Sequence, residues 1–203
     1  MSSRAASGTG ALVAGVIVML SSALLAAGWT LAIGDWVARN AEMARLIQAI
    51  EGSEAAMVAT QEEVTALMQQ HAQDAEGGEL IDGLGDAAGR GRDSIAYAGT
   101  RVQGVAVLPW HTSIDEAKQA YLAHNAAWQE YLDRASGNPS EFVTPQPLVD
   151  STFAAAEPLL RAAVPLLDLW DFGTRIDVIY TPPEGATADD GPGQQVRVVH
   201  SAL

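Results

Sequence analysis

The hydrophobic positions divide the chain into one unbroken apolar run and a longer region of amphipathic stripes. The run, ALVAGVIVMLSSALLAAGWTLAI, extends from Ala11 to Ile33 and contains no charged residue. About 20 apolar residues are enough to cross the hydrocarbon core of a bilayer as a helix. Trp29 and Trp36 lie near the end of the run, where indole rings favour the membrane interface. Residues 11–34 are therefore predicted to be a transmembrane helix in the lipid bilayer.

A cleaved signal peptide is the alternative interpretation of this run. Signal peptides usually have about 7–15 apolar residues before a cleavage site of small residues. This run is longer, and its passable sites are Ala26-Ala27-Gly28 and Ala32-Ile33-Gly34. An uncleaved signal anchor is favoured, since a short tail before a long first apolar segment is typical of one. It places residues 1–10 in the cytoplasm and the C-terminal domain outside, in a single-pass protein of the cell membrane.

Beyond the run, apolar residues recur at helical spacing. The first stripe has a seven-residue period and consists of Met43, Ile50, Met57, Val64 and His71. This period predicts that the membrane helix continues as an amphipathic helix that packs on others. Gly77 and Gly78 are predicted to end it.

A second helix is predicted over residues 79–107, and Pro109 is predicted to stop it. Its best apolar positions are Ile95, Ala98, Val102 and Val105. Its first half contains four glycines: Gly83, Gly85, Gly89 and Gly91. Because a glycine costs about 1 kcal/mol inside a helix, this half is either loose or packed very closely.

Two further helices follow. The third is predicted to begin with a capping box at Ser113–Glu116 and to reach about Ala135. Its apolar face consists of Ile114, Ala117, Tyr121, His124, Trp128 and Tyr131. The fourth begins near Asp150, and its apolar side consists of Phe153, Leu159, Leu160, Val164, Leu167 and Trp170. Pro158 and Pro165 predict kinks in it, or a split into short pieces.

The C-terminal region has two interpretations. Residues 175–180 extend the fourth helix and residues 181–203 form a flexible tail. Alternatively, residues 176–181 and 195–199 pair as a short hairpin. The predicted fold is all-α: one N-terminal transmembrane helix continues into an up-and-down four-helix bundle over residues 35–180, outside the cytoplasm.

Charge and composition exclude several functions. The net charge is −14, and the region after residue 40 holds nine basic residues against 24 acids. A domain this acidic repels phosphate backbones, so no nucleic-acid partner is expected. The chain has no cysteine, which excludes disulfides, thiolate metal sites and cysteine nucleophiles.

The candidate binding site is a group of aromatic residues and histidines around the start of the third helix. Its members are Trp110, His111, Tyr121, His124 and Trp128. Tyr121, His124 and Trp128 share one helix face at spacings of three and four. They are predicted to bind a ligand or a partner protein, and the alternative is that they close one end of the bundle core.

No catalytic residue, metal ligand set or cofactor is predicted. Metal sites in bundles usually contain Glu-x-x-His, whereas Tyr121 stands three residues before His124 and Met68 three before His71. The glycines of residues 83–89 superficially match a dinucleotide loop, but no buried strand precedes them. No serine lies in a Gly-x-Ser-x-Gly turn.

Three stretches carry a resemblance to a known group of proteins. Val107-Leu108-Pro109-Trp110-His111, residues 121–128 and residues 153–158 together resemble an uncharacterised group of actinobacterial membrane-anchored proteins. The resemblance implies an anchored helical extracytoplasmic domain and no particular activity. A looser similarity is to the sensor domains of chemoreceptors, which are also helical bundles that continue from a membrane helix.

Two functions are therefore considered. The first is a non-enzymatic envelope protein whose bundle binds a membrane or envelope protein, or a small ligand. Self-association is a further option, since Ser22, Ala26 and Thr30 place small residues four apart in the membrane helix. The alternative is a metal-dependent or other hydrolytic envelope enzyme that uses His111 and His124 with acids such as Asp115 or Glu116.

Overall fold

The computed structural model describes residues 7–71, 78–168 and 170–181. Its elements are α1 (Ser7–His71), α2 (Gly78–Gln103), α3 (Thr112–Gly137), a 3₁₀ helix (Pro139–Val143), α4 (Pro147–Ala163) and α5 (Phe172–Tyr180). No strand occurs in these ranges, and the all-α prediction is confirmed. Contacts divide the chain into two compact units, Met1–Asn40 and Ala41–Leu203.

The first unit contains the apolar part of α1. Every side chain from Val18 to Asp35 is exposed, although most of them are hydrophobic. Helix α1 is long and apolar enough to cross a membrane, and none of its apolar window is buried against the rest of the protein. The Thr30 hydroxyl donates to the Ala27 carbonyl oxygen at 2.8 Å, so this polar group is satisfied within the helix.

In the second unit, the part of α1 from Ala41 onward contacts α2, α3 and α5. The contacts with α2 pair Gly52 with Arg101, Thr60 with Gly91, and Leu67 with Gly83. The contacts with α3 pair Glu42 with His111 (just before the helix), Glu54 with Tyr121, and Ser53 with Asn125. Helices α1 and α2 are therefore antiparallel, and α1 and α3 are broadly parallel.

The interior of this unit consists of two apolar clusters. The first includes Met43, Leu46, Ile47, Ile50, Val102, Ile114, Tyr121, Leu160, Phe172 and Ile176. The second includes Met57, Val64, Leu84, Ile95, Trp128, Tyr131, Leu132, Phe142 and Val149. Met43, Ile50, Met57 and Val64 are all buried, as the seven-residue period predicts. That period therefore identifies the core side of α1 over these residues.

The glycine-containing half of α2 is helical, and its glycines differ in their surroundings. A Cβ on Gly91 would clash with the Thr60 side chain, so α1 and α2 approach closely there. A Cβ on Gly89 would meet nothing within 4 Å. The close-packing interpretation therefore applies to Gly91 and not to Gly89.

Two predicted helix boundaries are wrong. Helix α2 ends at Gln103, well before Pro109, because the chain turns at Gly104 and carries Val105 into the core. Helix α3 begins at Thr112 with His111 as its N-cap and without a side-chain capping hydrogen bond. Ser113 already lies inside the helix, so the predicted capping box does not form.

The predicted split of the fourth helix is confirmed. Helix α4 starts at Pro147, where the fixed φ of proline suits the first turn, and it contains Pro158. It ends at Ala163, two residues before Pro165, and α5 follows as a separate helix. Leu167 and Trp170 were predicted to lie on the apolar side, but both are exposed, because the helical period does not continue across the break.

The alternative hairpin is wrong in its first strand. Residues 176–180 belong to α5, and Phe172 and Ile176 are buried one turn apart on its core side. The Asp168 carboxylate accepts hydrogen bonds from the Phe172 and Gly173 amides at 2.8 and 3.0 Å, which supports the first turn of this helix. Residues 195–199, and the predicted tail beyond residue 181, lie outside the described residues.

Candidate functional site

The first buried polar contact joins α1 to the segment before α3. Glu42 Oε2 lies 2.6 Å from His111 Nδ1, and Glu42 Oε1 accepts a hydrogen bond from the Leu108 amide at 3.0 Å. Both side chains are buried, since 1% of His111 and 5% of Glu42 is exposed. The carbonyl oxygen of His111 in turn accepts from the Ile114 and Asp115 amides. Glu42 therefore attaches the α2–α3 connection, and with it the start of α3, to α1.

A second buried polar group, here called the polar cluster, consists of Ser53, Glu54, Tyr121, His124 and Asn125. The Tyr121 hydroxyl donates to Glu54 Oε1 at 2.5 Å. The Ser53 hydroxyl donates to Asn125 Oδ1 at 2.8 Å. His124 Nε2 lies 3.9 Å from Glu54 Oε1. The cluster thus links neighbouring positions on α1 to one face of α3.

Helices α4 and α5 close the polar cluster on its other side. His124 Nδ1 lies 3.3 Å from the Thr152 hydroxyl, and the His124 ring centroid lies 4.9 Å from that of Phe153. Phe153 stacks on Tyr180 with centroids 4.3 Å apart and planes at 22°. Aromatic rings therefore separate the cluster from solvent on the α4 and α5 side.

Burial sets the electrostatics of the polar cluster. It raises the pKa of Glu54 to about 7, and the hydrogen bond from Tyr121 opposes this rise. Burial, together with the nearby Glu54 carboxylate, raises the pKa of Tyr121 well above its usual value. The same two causes raise the pKa of Tyr180. Tyr121 therefore stays protonated and donates, while Glu54 changes charge near neutral pH.

The five residues predicted as a binding site do not form one surface. Tyr121 and His124 lie together, with ring centroids 5.7 Å apart. Trp128 packs on Tyr131 in the second apolar cluster, at 5.5 Å. His111 is buried beside Glu42, whereas its neighbour Trp110 is 62% exposed. Of the five, Trp110 alone presents most of its side chain to the outside.

The side chains of the acids named for the enzymatic alternative are turned to the outside of the domain. Asp115 and Glu116 are exposed, whereas Glu42 lies 2.6 Å from His111 and Glu54 lies 3.9 Å from His124. Over the described residues, no group of three or more histidine, aspartate or glutamate side chains is placed to hold a metal ion. The sequence interpretation missed both glutamates.

An open groove lies between the first turns of α2 and the end of α3. Its volume is about 640 Å³, and its lining consists of Ile81, Asp82, Gly85, Asp86, Ser136, Gly137 and Pro139. The glycine motif of residues 83–89 lies inside α2, so its glycines do not form a strand-to-helix turn. Two aspartates in the lining disfavour a phosphate ligand.

Comparison of the chain with protein-family models, with curated proteins and with solved structures finds no match.

Proposed function

We propose that this chain is a single-pass membrane protein of the cell envelope whose acidic helical domain lies outside the cytoplasm and acts by binding rather than by catalysis. One observation carries the proposal. The uncharged run of residues 11–33 lies in α1, and its described side chains, from Val18 onward, are exposed instead of packed against the rest of the protein. Exposed apolar surface of this extent needs a non-aqueous environment, which a bilayer supplies.

The proposed orientation has residues 1–10 in the cytoplasm. The region after residue 40 has a net charge of −15, with a single lysine, Lys118. Such a domain gains little from a position beside the anionic cytoplasmic leaflet. An extracytoplasmic position is also compatible with a chain that has no cysteine to oxidise.

An up-and-down four-helix bundle is the proposed arrangement of α1 to α4. The order of the α1–α2 and α1–α3 contacts supports it. Between α3 and α4, Arg134 donates a hydrogen bond to Gln146 at 3.1 Å, and His124 lies 3.3 Å from Thr152. These two contacts are those of antiparallel helices. Helix α5 adds to this arrangement through a two-bond ion pair between Arg175 and Glu51 at 2.8 and 2.7 Å.

Binding is favoured over catalysis because the acid–base groups are enclosed. His111, Tyr121 and His124 are fully buried, and their carboxylate neighbours connect helices. A catalytic group has to reach its substrate within hydrogen-bond distance. Tyr97, which is 70% exposed on α2, is better placed for contact with a partner.

The anchor and its orientation are tested with paired reporters fused after Leu203. We expect a reporter that works only outside the cytoplasm to be active, and one that works only inside to be silent. A matched variant carries Leu20→Arg and Leu24→Arg, which place two charges in the run and should release the protein from the membrane. Activity of the cytoplasmic reporter in the unaltered chain would contradict the orientation.

Binding is tested by cross-linking native membranes and recovering the full chain through a tag after Leu203, with residues 1–40 alone as the control. A protein enriched by the full chain over this control supports binding by the domain. Recovery of this chain cross-linked to itself supports self-association. Equal recovery by the full chain and by residues 1–40 would contradict a binding role for the domain.

A further inference from the structure

Four large apolar side chains are exposed beside two helix connections of the second unit. Here called the apolar rim, they are Trp110, Leu166, Leu167 and Trp170. Trp110, Leu167 and Trp170 are 62%, 64% and 61% exposed, and Leu166 is fully exposed. Trp110 precedes α3, and the three others lie between α4 and α5. Surface leucines occur singly in many proteins, but two tryptophans and two leucines in short connections need an explanation.

Both connections lie at the end of the domain where residues 42 and 43 are found. Trp110 is next to His111, which contacts Glu42 at 2.6 Å. The segment before α5 ends at Phe172, which is buried in the same apolar cluster as Met43. Arg175 pairs with Glu51, and Tyr180, later in α5, lies near Glu54. Residue numbers therefore rise together along α5 and α1, so the residues before α5 lie toward the low-numbered end of this part of α1.

The two connections of the apolar rim differ in charge: the one before α3 has no charged residue, whereas the one between α4 and α5 contains Asp168 and Asp171. Residues 104–111, with sequence GVAVLPWH, include no acid, lysine or arginine. Asp168 accepts hydrogen bonds from two α5 amides, and Asp171 accepts one from the Thr174 hydroxyl at 2.9 Å. These carboxylates are thus engaged at the start of α5, where the helix dipole also stabilises negative charge.

Chain length limits how far this end of the domain can lie from a bilayer crossed by residues 11–33. Nine peptide units separate Ile33, the last residue of the apolar run, from Glu42. Even when fully extended, they span no more than about 32 Å, at about 3.3–3.6 Å per residue. If residues 11–33 cross the membrane, this length is the largest distance that can separate Glu42 from the end of the crossing segment.

We propose that the apolar rim inserts into the outer-leaflet interface of the bilayer and acts as a second membrane contact of the domain. The inference rests on the proposed anchoring of residues 11–33. Indole rings favour the headgroup region, where their apolar face and N–H group are both accommodated. The proposed contact is with a neutral lipid surface, since the acidity of the domain opposes an anionic one.

The absence of cysteine makes a direct test feasible. Single cysteines are introduced into the full chain as Leu167→Cys, Val143→Cys or Leu24→Cys, and each is labelled with an environment-sensitive fluorophore. Val143 is the matched control, because it is 74% exposed in the 3₁₀ helix after α3. Leu24 lies in the apolar run and reports on the anchor itself. The labelled chains are reconstituted into phosphatidylcholine vesicles with and without lipids that carry a quencher at a shallow depth.

We expect the label at residue 167 to emit at shorter wavelength than the label at residue 143, and to be quenched at least twofold by the shallow lipid quencher. The label at residue 143 should remain unquenched. Replacing half of the phosphatidylcholine by phosphatidylglycerol should reduce the quenching at residue 167.

Three other results would overturn the inference, and they differ in what they say about the anchor. Equal, water-like emission at residues 167 and 143, with residue 24 protected, leaves the anchor intact and removes the second contact. Shielding of residue 167 without lipid quenching indicates a protein surface, such as a second copy of this chain, and contradicts the lipid contact. Water-like emission at residue 24 contradicts the proposed anchor, and the inference fails with it.

Discussion

Glu42 and Glu54 are two glutamates on the same helix that both contact α3 or the residue before it, yet their surroundings differ. The Glu42 side chain is 5% exposed and that of Glu54 is 15% exposed. Glu42 has a partner on each carboxylate oxygen, the Leu108 amide on Oε1 and His111 Nδ1 on Oε2. The Glu54 contacts converge on Oε1, where Tyr121 donates at 2.5 Å and His124 Nε2 lies 3.9 Å away. The two residues are 12 positions apart, which corresponds to about 18 Å along a helix.

The difference shows how the number and type of partners decide what a buried carboxylate does. A backbone amide and a histidine ring at short range make Glu42 a structural link between α1 and the α2–α3 connection. A single phenol compensates only part of the desolvation of Glu54, so the pKa of Glu54 rises to about 7. Glu42 is thus expected to contribute to stability by its bonds, and Glu54 to make stability depend on pH.

Glu42→Ala gives the largest expected effect. The change removes the acceptor of two buried contacts and leaves the Leu108 amide without its partner. Leaving a buried donor without its acceptor typically costs about 1–3 kcal/mol, so the loss of both contacts should cost about 2–5 kcal/mol. We expect the full chain in detergent micelles to lose about that much free energy of unfolding, measured by chemical denaturation with far-ultraviolet circular dichroism.

Glu62→Ala is the matched control, because Glu62 is an exposed glutamate on the same helix. This variant should stay within about 0.5 kcal/mol of the unaltered chain. A loss below 1 kcal/mol for Glu42→Ala would show that the Glu42 contacts are not a structural link, and the comparison with Glu54 would lose its basis.

Glu54→Gln is expected to have a smaller effect that depends on pH. Because the folded pKa is raised from 4.5 to about 7, the folded state holds the proton more tightly between these values. Stability should therefore fall as pH rises from about 4.5 to about 7, by about 3 kcal/mol in total. Glutamine does not ionise and its carbonyl oxygen still accepts from Tyr121, so the variant should lack this fall and be the more stable protein at pH 8.

The measurement is the melting temperature of both proteins from pH 4 to pH 8. The other ionisable side chains of the protein, Tyr180 among them, are common to both proteins, so the difference between the two curves isolates Glu54. Glu62→Gln controls for the loss of one negative charge. Parallel curves for the unaltered chain and Glu54→Gln would contradict a raised pKa at this position.

The apolar core was largely predictable from the sequence, because periodicity and burial are directly linked in a helix. All six residues of the predicted third-helix face are buried: Ile114, Ala117, Tyr121, His124, Trp128 and Tyr131. The same argument failed for Leu167 and Trp170, because a period holds only while the helix continues, and α4 ends at Ala163. The exposure of Leu167 and Trp170 can be recognised only when the end of α4 is known.

The polar contacts were less predictable than the core. Glu42 and Glu54 each lie one position from a core residue, next to Met43 and Ser53. Acids beside an apolar stripe are typical of a solvent-exposed helix flank, and the sequence pattern does not distinguish that case from burial under another element. What covers Glu42 is the α2–α3 connection, whose path depends on the turn at Gly104 and on Val105. Such dependence on the path of a connection is a tertiary effect that no local pattern contains.

Tyr121→Phe is expected to have the smallest effect and tests whether the single hydrogen bond to Glu54 matters most when Glu54 is ionised. Net contributions are about 1 kcal/mol for a neutral hydrogen bond and about 1.5–3 kcal/mol for one to a charged group. The loss of unfolding free energy should therefore be about 2 kcal/mol at pH 8, and about half of that at pH 5, where Glu54 is protonated.

Tyr131→Phe is the matched control, because Tyr131 is a buried tyrosine of α3 in the other apolar cluster. It should show no such difference between the two pH values. An equal loss of unfolding free energy at pH 5 and pH 8 for Tyr121→Phe would show that ionisation of Glu54 does not strengthen this hydrogen bond. Glu54 would then resemble Glu42 in acting only as a structural contact.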